Sequence, residues 1–226
     1  PHTVKMKVEM GGLKHAKGMM CKRPPSFSYP LLSMKKFLEF MNRTNATILI
    51  VGDSVSEQMY VSFMCNIESN HPELYQTAHE RVQFSWSAYL TKLPTGCSVV
   101  NKALVRYHPS NKQFESDQWA ARAAHSNITH VVFNSGPWFS PYQLGNSYEA
   151  CFRKQFSVGS QLDLLLRRLK FRHKVKLYWR DTAPAGICAI ESENLGINNS
   201  VSAYRNQLVK NLTHTYATSI PDVWNI

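Results

Sequence analysis

Acidic residues are scarce in this chain. Its 226 residues hold 15 Asp and Glu against 26 Lys and Arg, for a formal charge of +11. That imbalance favours anionic partners. Charge of either sign is sparse: 18% of residues are charged against 43% hydrophobic, which excludes a disordered chain. Long apolar runs are missing too. No window reaches the ~18 uninterrupted apolar residues of a membrane helix. No signal-peptide pattern opens the chain, but it begins at Pro1 rather than Met, so an upstream segment, a membrane anchor included, stays open. The five cysteines are Cys21, Cys65, Cys97, Cys151 and Cys188. None forms a C-x-x-C pair, so no metal site is expected. Internal repeats and low-complexity tracts are absent as well. The length suits one domain with a full core.

The positive charge falls in two clusters. Lys5, Lys7, Lys14, Lys17, Lys22 and Arg23 load a basic, irregular leader over residues 1–30. Arg167, Arg168, Lys170, Arg172, Lys174 and Lys176 form the second cluster, at the end of a predicted helix, where cations complement the helix dipole. No nucleic-acid motif accompanies either, so nucleic acid is not an expected partner. Five N-x-S/T sequons begin at Asn42, Asn45, Asn127, Asn198 and Asn211, more than composition alone supplies. Scattered cysteines pair in an oxidising lumen, the odd one with a partner outside the visible chain; in a reducing cytosol they are small buried hydrophobes. Together these features favour the secretory pathway.

Periodicity lays out the rest. A helix is predicted over 31–41, with Leu31, Met34, Phe37, Leu38 and Met41 on one face, and a buried strand over 47–51. A second helix follows from Val55 to about Ile67. Residues 69–80 are polar, contain Pro72 and read as a loop. Extended segments are expected over 82–88 and 99–107, a short helix over 119–125 and a strand over 130–133. One long helix is expected over 147–171, weakened by Gly159, then a strand over 174–179 and a loop over 181–194. A helix over 201–216 precedes a last strand over 219–226. Alternating strands and helices predict an α/β fold, a three-layer sandwich around a mostly parallel sheet, occupying residues 31–226.

In such sheets sites form outside the carboxyl ends of the strands. Three segments put polar residues there: Gly52-Asp53-Ser54, Asn134-Ser135-Gly136 and Arg180-Asp181-Thr182. The first lies between strand and helix, where a tight turn exposes a nucleophilic serine beside free helix N–H groups. Glycine at 52 permits the sharp bend. Asp53 is expected to bond turn N–H groups rather than carry protons. Two readings stand for Trp138, core or a platform for a sugar ring, and two for Arg180, a structural ion pair or a grip on an anionic group. His108, His125 and His130 share no ligand spacing.

The blocks VGDSVSEQMYVSFMC, VVFNSGPWF, LYWRDTAP and PDVWNI occur in that order between Ile48 and Ile226. Together they resemble the PC-esterase family of the SGNH (GDSL) hydrolase superfamily, in particular the trichome birefringence-like proteins of plants and their relatives in other eukaryotes. The resemblance implies an SGNH-hydrolase-like fold, Ser54 as nucleophile and oxyanion N–H donor, and Asn134 in the oxyanion hole. Gly52, Asp53, Gly136 and Arg180 are the supporting residues. It also implies an Asp and a His in a D-x-x-H block near the carboxyl terminus, which this chain lacks. Asp222 has no histidine three residues later, and neither His173 nor His214 is given the role. A C-terminally truncated chain is the expectation that follows. The implied activity is O-acetyl transfer to glycan or cell-wall polysaccharide hydroxyls through a serine acyl-enzyme, in the Golgi lumen or after secretion. An acetyl donor is the co-substrate, and no bound cofactor is expected. The alternatives are a carbohydrate O-acetylesterase of the same fold and a non-catalytic glycan-binding relative.

Overall fold

The computed structural model of the chain describes residues 33–101, 117–182 and 199–220. Five strands make one sheet: β1 (Ile48–Gly52), β2 (Val82–Trp86), β3 (His130–Phe133), β4 (Lys176–Arg180) and β5 (Ala217–Ile220). Their order is β2-β1-β3-β4-β5, and every pairing is parallel. Parallel neighbours need crossover connections, and helices supply them. α1 (Met34–Arg43) leads into β1, and the crossovers carry α2 (Ser54–Asn70), α3 (Tyr75–Arg81), α4 (Gln118–His125), α5 (Pro141–Leu144), α6 (Tyr148–Gln155), α7 (Gln161–Phe171) and α8 (Asn199–Thr213).

Side chains of β1 alternate between two cores. Leu49 and Val51 join Phe133, Phe152, Leu166 and Leu177 in the larger one. Ile50 joins Leu38, Met41, Met64 and Ile67 in the smaller one. A strand buried on both faces reads as an unbroken apolar run, which is why β1 stands out in the sequence. The architecture is the expected three-layer α/β sandwich, with helices on both faces of the sheet.

Several expectations about elements need correction. Residues 69–80 are not a loop: α2 runs on to Asn70, Pro72–Leu74 forms a 3-10 turn, and α3 follows at once. His71, before the proline, is pushed out of helical backbone, at φ −146° and ψ 57°, and so ends α2. Pro72 then opens the next turn, where its missing N–H has no helical partner to lose. The long helix expected over 147–171 is two helices. Gly159 takes φ +78°, and the Ser160 hydroxyl caps α7 by accepting from the Asp163 N–H at 3.1 Å. The helix expected to reach Tyr216 stops at Thr213, and β5 begins two residues earlier than expected. Of the strand expected over 99–107, residues 99–101 are irregular and the remainder lies outside the described residues, as do the leader, most of the 181–194 loop and the chain after Ile220.

Candidate active site

The parallel register brings the carboxyl ends of β1, β3 and β4 side by side, and the three polar segments meet there. The Asn134 amide donates to the Arg180 carbonyl at 2.7 Å and to Thr182 Oγ1 at 3.2 Å. The Arg180 guanidinium donates to Ser56 Oγ at 3.2 Å, which reaches from the end of β4 to the first turn of α2. The next strand end is tied in as well. The Ser87 N–H donates to the Gly52 carbonyl at 2.8 Å, and Ser135 Oγ donates to the Ala88 carbonyl at 2.6 Å.

Ser54 is the first residue of α2 and is exposed. Asp53 precedes it as the helix cap. Its carboxylate is fully buried and accepts the Val55 N–H at 3.0 Å. Burial raises the Asp53 carboxyl above the ordinary carboxylate range; the Val55 N–H and the Arg180 charge oppose the rise without cancelling it. The edge thus has a hydroxyl open to solvent on top and a capping carboxylate with an arginine beneath.

Asn134 is buried, and both amide hydrogens are engaged. The Arg180 carbonyl fixes the orientation of the amide, since only the nitrogen can donate to it. Gly136 packs against Thr182, where a Cβ would lie 2.5 Å from Thr182 Oγ1. Trp138 is half-buried and packs edge to face on Trp86 at 5.5 Å between centroids. It therefore touches the core and keeps part of its ring outside.

Ser56, Thr182, Arg205 and Asn206 hold this region together in ways that the sequence does not signal. Ser56 is fully buried and accepts from Arg180, though its sequence context is that of any helix residue. Thr182 lies in the LYWRDTAP block, whose resemblance implies no role for it. Its N–H donates to Asn206 Oδ1 at 2.9 Å, and its carbonyl accepts from Asn206 Nδ2 at 3.2 Å. Arg205 is 2% exposed and donates to the carbonyls of Gly136 at 3.1 Å and Phe139 at 2.7 Å, and to Glu149 at 3.0 Å. It clamps the loop after β3 from α8. Arginine on a polar helix face carries no sequence signal for such burial.

The described histidines lie elsewhere. His125 and His173 meet edge on at 6.1 Å, His130 stacks on Tyr178 at 5.9 Å, and His214 Nδ1 sits 2.8 Å from the Asn211 carbonyl. His130 opens β3, and the other three precede strands, so all four belong to the amino-terminal edge of the sheet. His71 ends α2, at the far end from Ser54, and His79 lies in α3 just before β2. His108 falls outside the described residues.

The family model for PC-esterases, described as a GDSL/SGNH-like acyl-esterase family found in Pmr5 and Cas1p, matches residues 29–181. That span contains β1 to β4 and all three polar strand ends except Thr182. No curated protein matches the chain.

Proposed function

The chain belongs to the PC-esterase family of GDSL/SGNH-like acyl-esterases, and from that premise we propose that it transfers an acetyl group to a glycan hydroxyl through an ester on Ser54. The observation that carries the proposal is the position of Ser54, exposed on the first residue of α2 where β1 ends. A hydroxyl there can approach a carbonyl carbon from solvent. The Ser54 N–H lies in the first helical turn, where no carbonyl of the helix can accept from it. An N–H left free at this position can donate to an oxyanion formed at Ser54, and the helix dipole adds partial positive charge.

In the first half-reaction Ser54 Oγ attacks the acetyl carbonyl and loses its proton to a base. The tetrahedral oxyanion collapses, the donor alcohol leaves with a proton, and acetyl-Ser54 remains. An acceptor hydroxyl then repeats the steps in reverse. A sugar hydroxyl makes the chain a transferase, and water makes it an esterase. The base comes from outside the described histidines. Asn134 joins as an oxyanion donor by exchanging its longer bond, to Thr182 Oγ1, for the substrate oxygen. Arg180 holds Ser56 and sits beside the Asp53 carboxylate, which keeps the helix start in place.

A glycan acceptor is supported by Trp86 and Trp138, two half-buried rings at the same edge, suited to the apolar face of a sugar. Passage through the secretory pathway is supported by the Cys97–Cys151 disulfide and by a disulfide at Cys65. Among the described residues no helix is long and apolar enough to cross a membrane.

Ser54→Ala in the full-length protein tests the reading. Turnover of p-nitrophenyl acetate and acetyl transfer to an oligosaccharide should fall to background while near-ultraviolet circular dichroism is unchanged. A stalled reaction of the unaltered protein should show one acetyl group on the peptide that holds Ser54. Undiminished turnover by the alanine variant would refute the assignment.

A further inference from the structure

We infer that the edge of the sheet opposite Ser54 carries N-linked glycans, attached at Asn127 and in the Asn42–Asn45 turn. Four of the five sequons fall on described residues, and their placement is one-sided. Asn42 and Asn45 lie just before β1, Asn127 just before β3, and Asn211 near the end of α8, which leads to β5. In a parallel sheet all of these are amino-terminal ends of strands. Ser54, Asn134 and Arg180 occupy the carboxyl ends. A glycan beside Ser54 would obstruct a polymeric substrate. One on the far edge stands a strand length away.

The local chemistry fits an acceptor. Asn42, Asn45 and Asn127 are all exposed. Asn45 takes φ 50° in a tight turn, and Asn127 lies in the short link between α4 and β3. The Arg81 guanidinium holds this corner, donating to Asn45 Oδ1 at 2.7 Å and to Asn42 Oδ1 at 3.0 Å. Both bonds use the amide oxygen. The sugar joins the amide nitrogen, so the Arg81 contacts persist after modification. The Thr129 hydroxyl of the Asn127 sequon bonds the backbone of Thr47 in the folded chain, donating to its carbonyl at 3.1 Å and accepting its N–H at 2.9 Å. Its use by a transferase therefore precedes folding, as does that of the buried Thr47 hydroxyl in the Asn45 sequon.

The co-reactant is an oligosaccharide carried on a lipid diphosphate. The asparagine nitrogen forms a bond to the anomeric carbon, the carbon–oxygen bond to the diphosphate breaks, and the lipid diphosphate leaves with that electron pair. The amide gives up one proton, and nothing is oxidised or reduced. The proposal goes beyond acyl chemistry. It rests on the secretory-pathway reading, which the disulfides support independently of the sequons.

The test uses native protein immunopurified from the cells that make it. One aliquot is treated with peptide-N-glycosidase in heavy-oxygen water and another is incubated without enzyme. Both are digested without reduction and mapped by mass spectrometry. Heavy oxygen specific to the enzyme-treated aliquot is expected at Asn127 and at Asn42 or Asn45. Its absence from Asn127, or from both Asn42 and Asn45, overturns the proposal. In that event the Cys97–Cys151 peptide separates the causes. An intact disulfide means that the acceptor assignment alone fails, and free thiols mean that the compartment fails with it. Neither result bears on Ser54, whose variant is assayed separately.

Discussion

Gly52 has no room for a side chain. A Cβ on it would lie 2.2 Å from Ser56 Oγ, 2.8 Å from Ser56 Cβ and 3.0 Å from the Asn134 carbonyl oxygen. Ser56 is pinned by Arg180, and the carbonyl is backbone, so neither gives way cheaply. Gly52→Ala should therefore cost about 1–3 kcal/mol, the usual range for forced overpacking. Urea unfolding reads that cost, and an unmoved midpoint would show that the contact is slack. Asp53 gives a prediction of a different kind. Its folded pKa is raised by burial, so its contribution to stability is fully present below the unfolded value near 3.8 and is lost as pH rises through the folded value. Asp53→Asn keeps an oxygen to cap the Val55 N–H but carries no charge to bury. Relative to the parent, the variant should gain melting temperature steadily as pH rises above about 3.8. A difference that stays constant from acid to neutral pH would contradict the burial account. These two residues were legible because strand-to-helix turn chemistry is local. The pairings around them were not: Arg180 reaches Ser56 across 124 positions, and Asn134 reaches Thr182 across 48. No local pattern encodes such distances.

Elements were legible where one periodicity ran unbroken and illegible where a single residue interrupted it. β1 and β3 read plainly because both faces of a central strand are apolar. The 147–171 stretch did not, since its hydrophobic spacing continues through the break. What divides it is Gly159 at φ +78°, with open space around it, and a cap built by its neighbours. Ser160 accepts the Asp163 N–H, and the Asp163 carboxylate accepts the Gly159 N–H at 2.9 Å. Ser160→Ala removes one half of this reciprocal pair and should cost about 1 kcal/mol in thermal or chemical unfolding. Equal stability would mean that the start of α7 is set by packing alone. A larger effect is expected where one element grips another. Arg205 on α8 binds the Gly136 and Phe139 carbonyls and the Glu149 carboxylate, with its guanidinium 4.8 Å from the Phe152 ring centroid. Arg205→Met leaves the Phe139 carbonyl without this donor, the Gly136 carbonyl with the Phe139 N–H and Glu149 with Arg153 at 3.7 Å, and should cost about 1–3 kcal/mol, as expected for a buried acceptor left unsatisfied. Arg205→Lys restores the charge without the fork and should recover only part of the loss. Full recovery by lysine would reduce the clamp to a point charge.

At the scale of the whole molecule, alternation of strands and helices predicted the class of sheet but not the order of its strands. That order depends on which crossovers pack together, and the packing is non-local. The same limit applied to the cysteines, whose spacing named no pair. The structure joins Cys97 to Cys151, 54 positions apart, with 5.8 Å between Cα atoms. The bond ties the irregular segment after β2 to α6, a segment that has no strand ladder along its length. It depends instead on scattered contacts. The buried Tyr89 and Leu90 carbonyls accept from Gln155 Nε2 at 2.8 Å and Trp119 Nε1 at 2.6 Å, and the Val100 N–H reaches the Gln143 carbonyl at 2.8 Å. A cross-link of this span limits the unfolded chain most, and a stabilisation of about 2–4 kcal/mol is expected. Reductant is a poor probe because it also opens the disulfide at Cys65. The double variant Cys97→Ser with Cys151→Ser isolates the effect. Its unfolding midpoint should fall by that amount, and native-state hydrogen exchange should quicken first in residues 87–101, before the sheet opens. Exchange that quickens evenly across the sheet would place the bond's influence in the unfolded chain alone and leave the segment held by its own contacts.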